Sequence, residues 1–284
     1  MTAVVLALVA AVGYGVSDFV GGVASRRVAA LRFVIASYPL SLLLVLAVAP
    51  LAGGQITGSS LAWGAAAGVA GGVAIWWFYQ ALAEGPMSVV SPVTALLVAG
   101  IPVLVGFALG ERPGPLAYVG IALALIAVVL VSRESDENVA GGGHPRFTAR
   151  VAWLTVASGV AFALMFVAMH KVPDGTGLWP LAASRLTASL VVGAVALGTG
   201  MLVRPPRQLW PFIAGVAVLD VVANAALMFA FQHGMLSLVS VIGALYPAAT
   251  VLLATTVLGE HVGSDRRIGM VLAVAAVAMI TVAA

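Results

Sequence analysis

The sequence predicts an all-α polytopic integral membrane protein, with ten transmembrane helices in two inverted five-helix repeats. Three observations lead there: a composition too apolar for water, ten apolar runs of spanning length, and a self-similarity that carries one half onto the other. Of 284 residues, 62% are hydrophobic and 8% charged, against about 45–50% and roughly 25% in ordinary soluble chains. So few polar side chains cannot cover a soluble surface of this size. The 13 basic and 10 acidic residues leave a net charge of +3, too small and too dispersed for a nucleic-acid partner. With no cysteine in the chain, disulfides, thiolate metal sites and cysteine nucleophiles are excluded.

A membrane-crossing helix needs about 20 mostly apolar residues. From Phe33 to Ala83 there is no Asp, Glu, Lys, Arg or His, too long a stretch for one span. Pro50, Gly53, Gly54 and Gln55 divide it into two helices and a turn. The same reading along the chain predicts spans over 3–24, 30–50, 61–83, 87–110, 115–132, 150–170, 178–201, 209–232, 235–259 and 267–283. The first is expected to remain as a span rather than leave as a signal peptide, because no positive charge precedes it and no cleavage pattern follows. Continuous rather than alternating apolar runs exclude a barrel.

The one extended hydrophilic stretch runs from Arg133 to Arg150 and holds Glu134, Asp136, Glu137 and Gly141-Gly142-Gly143. It reads as a linker over 134–148 between repeats at 1–133 and 149–284. A shift of 149 residues places Gly85, Ser88, Ser91, Gly110 and Glu111 on Gly234, Ser237, Ser240, Gly259 and Glu260. Gly114 and Gly120 continue the match at Gly263 and Gly269. Shared apolar composition explains matched Leu and Val, but not matched Gly and Ser and a terminal Leu-Gly-Glu. Five spans per half is an odd number, so the halves enter the membrane in opposite orientations, the plan of many secondary transporters.

In Gly85-Pro86-Met87-Ser88 through Leu109-Gly110-Glu111, and Gly234-Met235-Leu236-Ser237 through Leu258-Gly259-Glu260, the chain resembles the drug/metabolite transporter superfamily, specifically its EamA-type ten-helix members. Leu245-Tyr246-Pro247 matches the family's ninth-helix proline. Leu31-Arg32-Phe33 matches its second-helix arginine, and Ser184-Arg185-Leu186 looks like the counterpart in the second half. The resemblance implies a carrier that moves small metabolites or drugs across a bacterial-type inner membrane by alternating access. One departure stands out: Pro247 aligns with Val98, while the first copy carries Pro92 and Pro102. Bends in the fourth and ninth helices are therefore expected to differ.

Ionisable residues inside a span are expensive and point to function. Only Asp18 and Asp220, of the ten acids, fall well inside predicted helices. Asp220 has Asn224 one turn later on the same face, a pair suited to a substrate amine or hydroxyl; Asp220 is also the proton-coupling candidate. Asp18 is placed at the depth of Arg32 on the next helix, where an ion pair acts either as a packing contact or as a gate. Trp76-Trp77-Phe78-Tyr79-Gln80 has the character of an interfacial belt, yet rings about 100° apart cannot all face lipid. Trp77, Tyr38 and Tyr246 are taken as candidate substrate contacts, with Tyr14 similar. Arg185 is expected to snorkel toward the headgroups; turned inward, it favours carboxylates or phosphates. Glu111 and Glu260 read as interfacial polar contacts. Gly64, Gly68 and Gly72 permit close helix approach. His170, His233 and His261 lie at helix ends and read as interfacial.

No phosphate-binding loop and no metal-ligand spacing occurs, so no cofactor or metal is expected. The expected partners are a small-molecule substrate and the lipid bilayer, with monomer and homodimer both open. The leading reading is a secondary exporter of small organic metabolites or drugs, not an enzyme. The other is a membrane-embedded enzyme or lipid-handling protein using Asp18 and Asp220 as acid and base. On orientation, two arguments diverge. Loops on the side of the termini hold only Arg112 and Lys171, whereas the opposite loops hold Arg26, Arg27, Arg133, Arg146, Arg150, Arg204, Arg207, Arg266 and Arg267. Positive charge therefore puts both termini outside the cytoplasm, while the resemblance implies both inside. The inverted repeat itself is directly testable: single cysteines at positions 111 and 260 should label from opposite sides of sealed vesicles, and labelling from one side would rule it out.

Overall fold

The computed structural model describes residues 1–25, 30–132, 148–200, 205–259 and 263–283, without the side chains of 21–25, 30–32, 87 and 88. The described residues form helices and their connections, with no strand. In order they are α1 (Thr2–Ser25), α2 (Ala30–Ala52), α3 (Gly58–Glu84), α4 (Met87–Ala108), α5 (Pro115–Ser132), α6 (Ala149–His170), α7 (Trp179–Gly198), α8 (Trp210–His233), α9 (Leu236–Gly243), α10 (Tyr246–Leu258) and α11 (Ser264–Ala283). Since α9 and α10 share one span, ten segments among the described residues are long and apolar enough to cross a membrane. The fold is that of a multi-pass membrane protein.

Local chemistry sets the helix ends. Thr57 and Ser60 exchange side-chain and backbone hydrogen bonds of 3.1 and 3.2 Å in a capping box before α3, and Thr148 caps α6 by accepting from Val151 N–H. These bonds satisfy donors that the first turn leaves unpaired. Gly259 closes α10 at φ 66°, the left-handed region that favours glycine.

Helix contacts recur in equivalent pairs when the chain is shifted by 149 residues. α1 lies on α8 as α6 lies on α3, and α4 lies on α6 as the ninth span lies on α1. α2 packs on α7, α5 on α11 and α4 on α9, each on its own counterpart under that shift. Among the equivalent contacts, α3 packs on α7 far more extensively than α8 packs on α2. The glycine run explains this. A Cβ on Gly64 or Gly68 would fall 2.1 Å from the carbonyl oxygen of Pro180 or Ser184, and one on Gly72 would meet Val191. Shifted by 149, these positions are Ile213, Ala217 and Val221 on α8, whose side chains keep α2 at a distance.

The fourth and ninth spans differ as the prolines imply. α4 is continuous through Pro92 and Pro102. The ninth span breaks at Ala244 and Leu245, just before Tyr246-Pro247. Pro247 has no N–H to donate, and its ring opposes the carbonyl of Gly243 four residues back. The two pieces also differ in setting: α9 is buried along its whole length, while α10 has no buried residue. Glu111, beyond the end of α4, holds the start of α9. Its carboxylate oxygens accept from the backbone N–H groups of Leu236 and Ser237, where the helix end carries partial positive charge. Gly106 leaves room for that carboxylate, because a Cβ there would collide with it. Glu260 and His261 lie outside the described residues.

The glycine seam yields a stability test. Gly68→Leu should lower the thermal midpoint of the detergent-purified protein, because its Cβ meets backbone; overpacking of this kind costs about 1–3 kcal/mol or more. Gly193→Leu, where nothing lies within 4 Å of an added Cβ, should leave the midpoint nearly unchanged.

Candidate functional site

Between the two halves lies a cavity of about 740 Å³, within the range of small-molecule sites. Its charged heart is built by α7 and α8. Arg185 is only 4% exposed and donates through Nη1 to Asp220 Oδ2 at 2.9 Å. Asn224, one turn along α8, donates through Nδ2 to Asp220 Oδ1 at 2.9 Å and to the Asp220 carbonyl at 2.8 Å. Both carboxylate oxygens are thus engaged. The guanidinium carbon sits 5.3 Å from the centre of the Tyr38 ring, close enough for a cation–π contact. Asp220 is ten residues into α8, about 15 Å along the axis, so the pair lies deep in the span.

This placement corrects one expectation. Arg185 does not snorkel outward; it is turned into the cavity and paired. Asp220 and Asn224 are hydrogen-bonded to each other, and their partner comes from α7, which otherwise packs little against α8. Tyr38, Tyr246, Tyr14 and Asp18 all line the cavity, with the Tyr14 and Tyr246 rings edge-to-face at 6.3 Å. Trp77 does not belong with them. It stands edge-to-face with Trp153 at 5.2 Å and packs on the small cluster of Ala81, Val90, Val151 and Leu154. The rings of that segment that reach the cavity are Phe78 and Tyr79. The Asp18–Arg32 pair cannot be located, since the Arg32 side chain lies outside the described residues.

The sequence reading missed the opposite wall. Ile75 and Phe78 of α3 face Phe162, Met165 and Phe166 of α6 there. Thr94, at the edge, approaches Ser158 Oγ and the Thr155 carbonyl at 3.5 Å, tying α4 to α6. The repeat itself held a signal for the charged wall: the 149-residue shift sets Asp220 against Gly71 and Asn224 against Ile75. Polar residues that break a repeat are those the fold does not require. Two donors in the polar wall also remain without partners: the Nε of Arg185 and the hydroxyl of Tyr14 are buried and unbonded among the described residues. Each such group costs about 1–3 kcal/mol, a cost sustained where a function uses it.

The model of the EamA-like transporter family matches residues 1–133 and 149–282. The chain belongs to that family. A relative from Streptantibioticus cattleyicolor, a "Probable terminal-alkyne amino-acid exporter", is 31% identical to this EamA-like chain over 139 residues. That match takes in 47% of this chain and 46% of the relative, so the chain spans about half the length of the curated relative it matches. A solved structure titled "Crystal structure of protein" superposes with a TM-score of 0.79 at 17% identity, covering 99% of this chain and 96% of that one. At that identity the likeness shows the fold. Fold and family together make this a multi-pass membrane protein of the EamA-like transporter family.

The ion pair makes a prediction. Asp220→Asn leaves a buried guanidinium without its counter-charge, which costs about 3–5 kcal/mol; its thermal midpoint should fall well below that of the parent. The double variant Arg185→Gln/Asp220→Asn should recover much of the loss. Additive losses in the double variant would show that the two side chains are not coupled.

Proposed function

We propose that this EamA-like protein is a secondary exporter of small organic metabolites or drugs, working by alternating access across the cytoplasmic membrane. The carrying observation is the position of the Arg185–Asp220–Asn224 cluster: buried, charged, and set in the central cavity, between what we read as the two halves of an inverted repeat. A carrier of this plan binds its substrate between the halves and exposes it to each side in turn. Family membership and a relative named as an exporter support the direction.

Asp220 is our candidate for proton coupling. Substrate anion and Asp220 are rivals for Arg185, and proton and Arg185 are rivals for Asp220. A proton arriving on Asp220 frees the guanidinium to take another anion, and a departing proton restores the pair. That linkage joins proton movement to substrate occupancy with no further group. Asp18, if it meets Arg32 as the sequence suggests, serves as a gate at one mouth of the same cavity. The acid–base enzyme reading draws less support, because Asp220 already has both oxygens engaged.

Proteoliposomes test the proposal. The parent protein should accumulate a solute from a panel of amino acids, purines, sugars and cationic drugs when an inward or outward pH gradient is imposed, with the solute recovered chemically unchanged. In Asp220→Asn, assayed on its monodisperse fraction, accumulation driven by the gradient should vanish while exchange at equal pH persists. Gradient-driven accumulation that survives in Asp220→Asn would remove Asp220 from the coupling step. A chemically altered solute would favour the enzyme.

A further inference from the structure

The two ends of the bundle are not alike. The cavity reaches the starts of α2 and α4, the ends of α3 and α5, and Arg266 near the start of α11. Consecutive spans alternate in direction, so these positions share one end of the bundle, the end away from the chain termini. There Phe78, Tyr79 and Leu82 of α3 and Ser91 of α4 are half-exposed to the cavity. The 149-residue shift carries them to Leu227, Met228 and Phe231 of α8 and Ser240 of α9, toward the end that carries the termini. All four of these counterparts are buried. At that end α4 packs along α9, whereas α10 makes no comparable contact with α4. One end is open and the other shut.

Glu111 ties the shut end across its seam. It stands just past the end of α4 and is only partly buried, and its two carboxylate oxygens accept from the first two backbone N–H groups of α9. Near the bundle end, water can replace each partner when the two part, so this bond is of a kind that can be made and broken. The seam behind it holds polar atoms that nothing there satisfies. The hydroxyls of Ser237 and Ser240 and Nδ1 of His170 are buried with no partner among the described residues, and the His170 ring stands against Phe231 at 6.0 Å. A buried polar atom left unbonded calls for a reason. A second facing in which this seam fills with water supplies one, since Ser91, the counterpart of Ser240, already faces the open cavity.

Building on the alternating-access reading, we infer that Glu111 is the latch of this seam. Its carboxylate holds the start of α9 against the end of α4 in the present facing. It lets go when a second vestibule, lined by Leu227, Met228, Phe231 and Ser240, opens at the end that carries the termini. Glu111 is a positioning residue: it acts through α9, away from the cavity. A contact made in only one of two conformations shifts the balance between them by its own strength. A carboxylate at a helix N-terminus supplies a strength suited to the task, enough to favour one facing and too little to forbid the other. Gly106 is part of the same device, because a Cβ there would fall 2.4 Å from Glu111 Oε2 and push the carboxylate from its seat.

The chain has no cysteine, so single cysteines can report on each end. Ser91→Cys reads the open end and Ser240→Cys the shut end, by the rate of maleimide labelling of the full-length protein in nanodiscs. With Glu111 in place, Ser240→Cys should label at least ten-fold more slowly than Ser91→Cys. Adding Glu111→Gln should speed Ser240→Cys by about three-fold or more, the change expected when a charge is lost from a helix N-terminus. Gly106→Ala, which keeps Glu111 but unseats it, should do the same and decides the matter if Glu111→Gln does not fold. A frayed helix start would also expose Ser240, so a further measurement tells a latch from a cap. When Ser91→Cys already carries a bulky maleimide that props its end open, the acceleration at Ser240→Cys should disappear. Acceleration that survives the prop overturns the latch, as does equal labelling at both ends or no effect of either variant. Gradient-driven accumulation by the parent in proteoliposomes separates the two readings. Where it occurs, a failed labelling test removes only the latch; where it does not, alternating access falls as well.

Discussion

A guanidinium and a carboxylate 2.9 Å apart inside a membrane-spanning bundle are there only because each answers the other. Either charge alone would have to draw in water, move to the interface or lose its charge. Together, with Asn224 on the second carboxylate oxygen and the Tyr38 ring beside the guanidinium, they are tolerated. The pair ties α7 to α8, two helices with little other contact. It also fixes which faces of those helices turn inward, and with them the polar wall of the cavity.

Around this pair the scaffold is nearly symmetric, and its departures from symmetry are local and traceable to single residues. Three glycines let α3 lie backbone-to-backbone on α7, whereas Ile213, Ala217 and Val221 hold α8 away from α2. One seam is therefore tight and the other looser. Pro247 divides the ninth span into a buried piece, held at its start by Glu111, and a more exposed piece that lines the cavity through Tyr246, Pro247, Thr250 and Val251. Thr250 reaches the Gly15 carbonyl at 3.1 Å, so the exposed piece is bound to α1 by a polar contact as well as by packing.

Much of this was legible in the sequence, because the bilayer imposes long apolar runs and punctuates them sharply. All ten spans fall within three residues of their expected ends. Asp220 and Asn224 could be singled out since a carboxylate amid apolar residues has no bland surroundings. The partner of Asp220 was harder to read. Arg185 sits close enough to the start of α7 to reach the headgroups, and helix periodicity alone does not say which way it turns. Trp77 failed for a related reason: adjacent rings on one helix point in different directions, and only the neighbouring Trp153 decides which is withdrawn. The apolar wall went unread because Phe162, Met165 and Phe166 look like any other membrane-facing residues until α3 is placed opposite them.

The one-sided polarity of the cavity has a consequence for how such a protein behaves when turned around. In an inverted repeat, exchanging the conformations of the two halves converts one facing into the other. Were the walls alike, the two facings would present equivalent sites of equal affinity. Here the exchange carries Asp220 and Asn224 to the place of a glycine and an isoleucine, so the facings are chemically distinct. A ligand shifts a conformational equilibrium only by its difference in affinity for the two states. Under the alternating access proposed above, unequal walls would supply that difference and give the two facings different half-saturation concentrations.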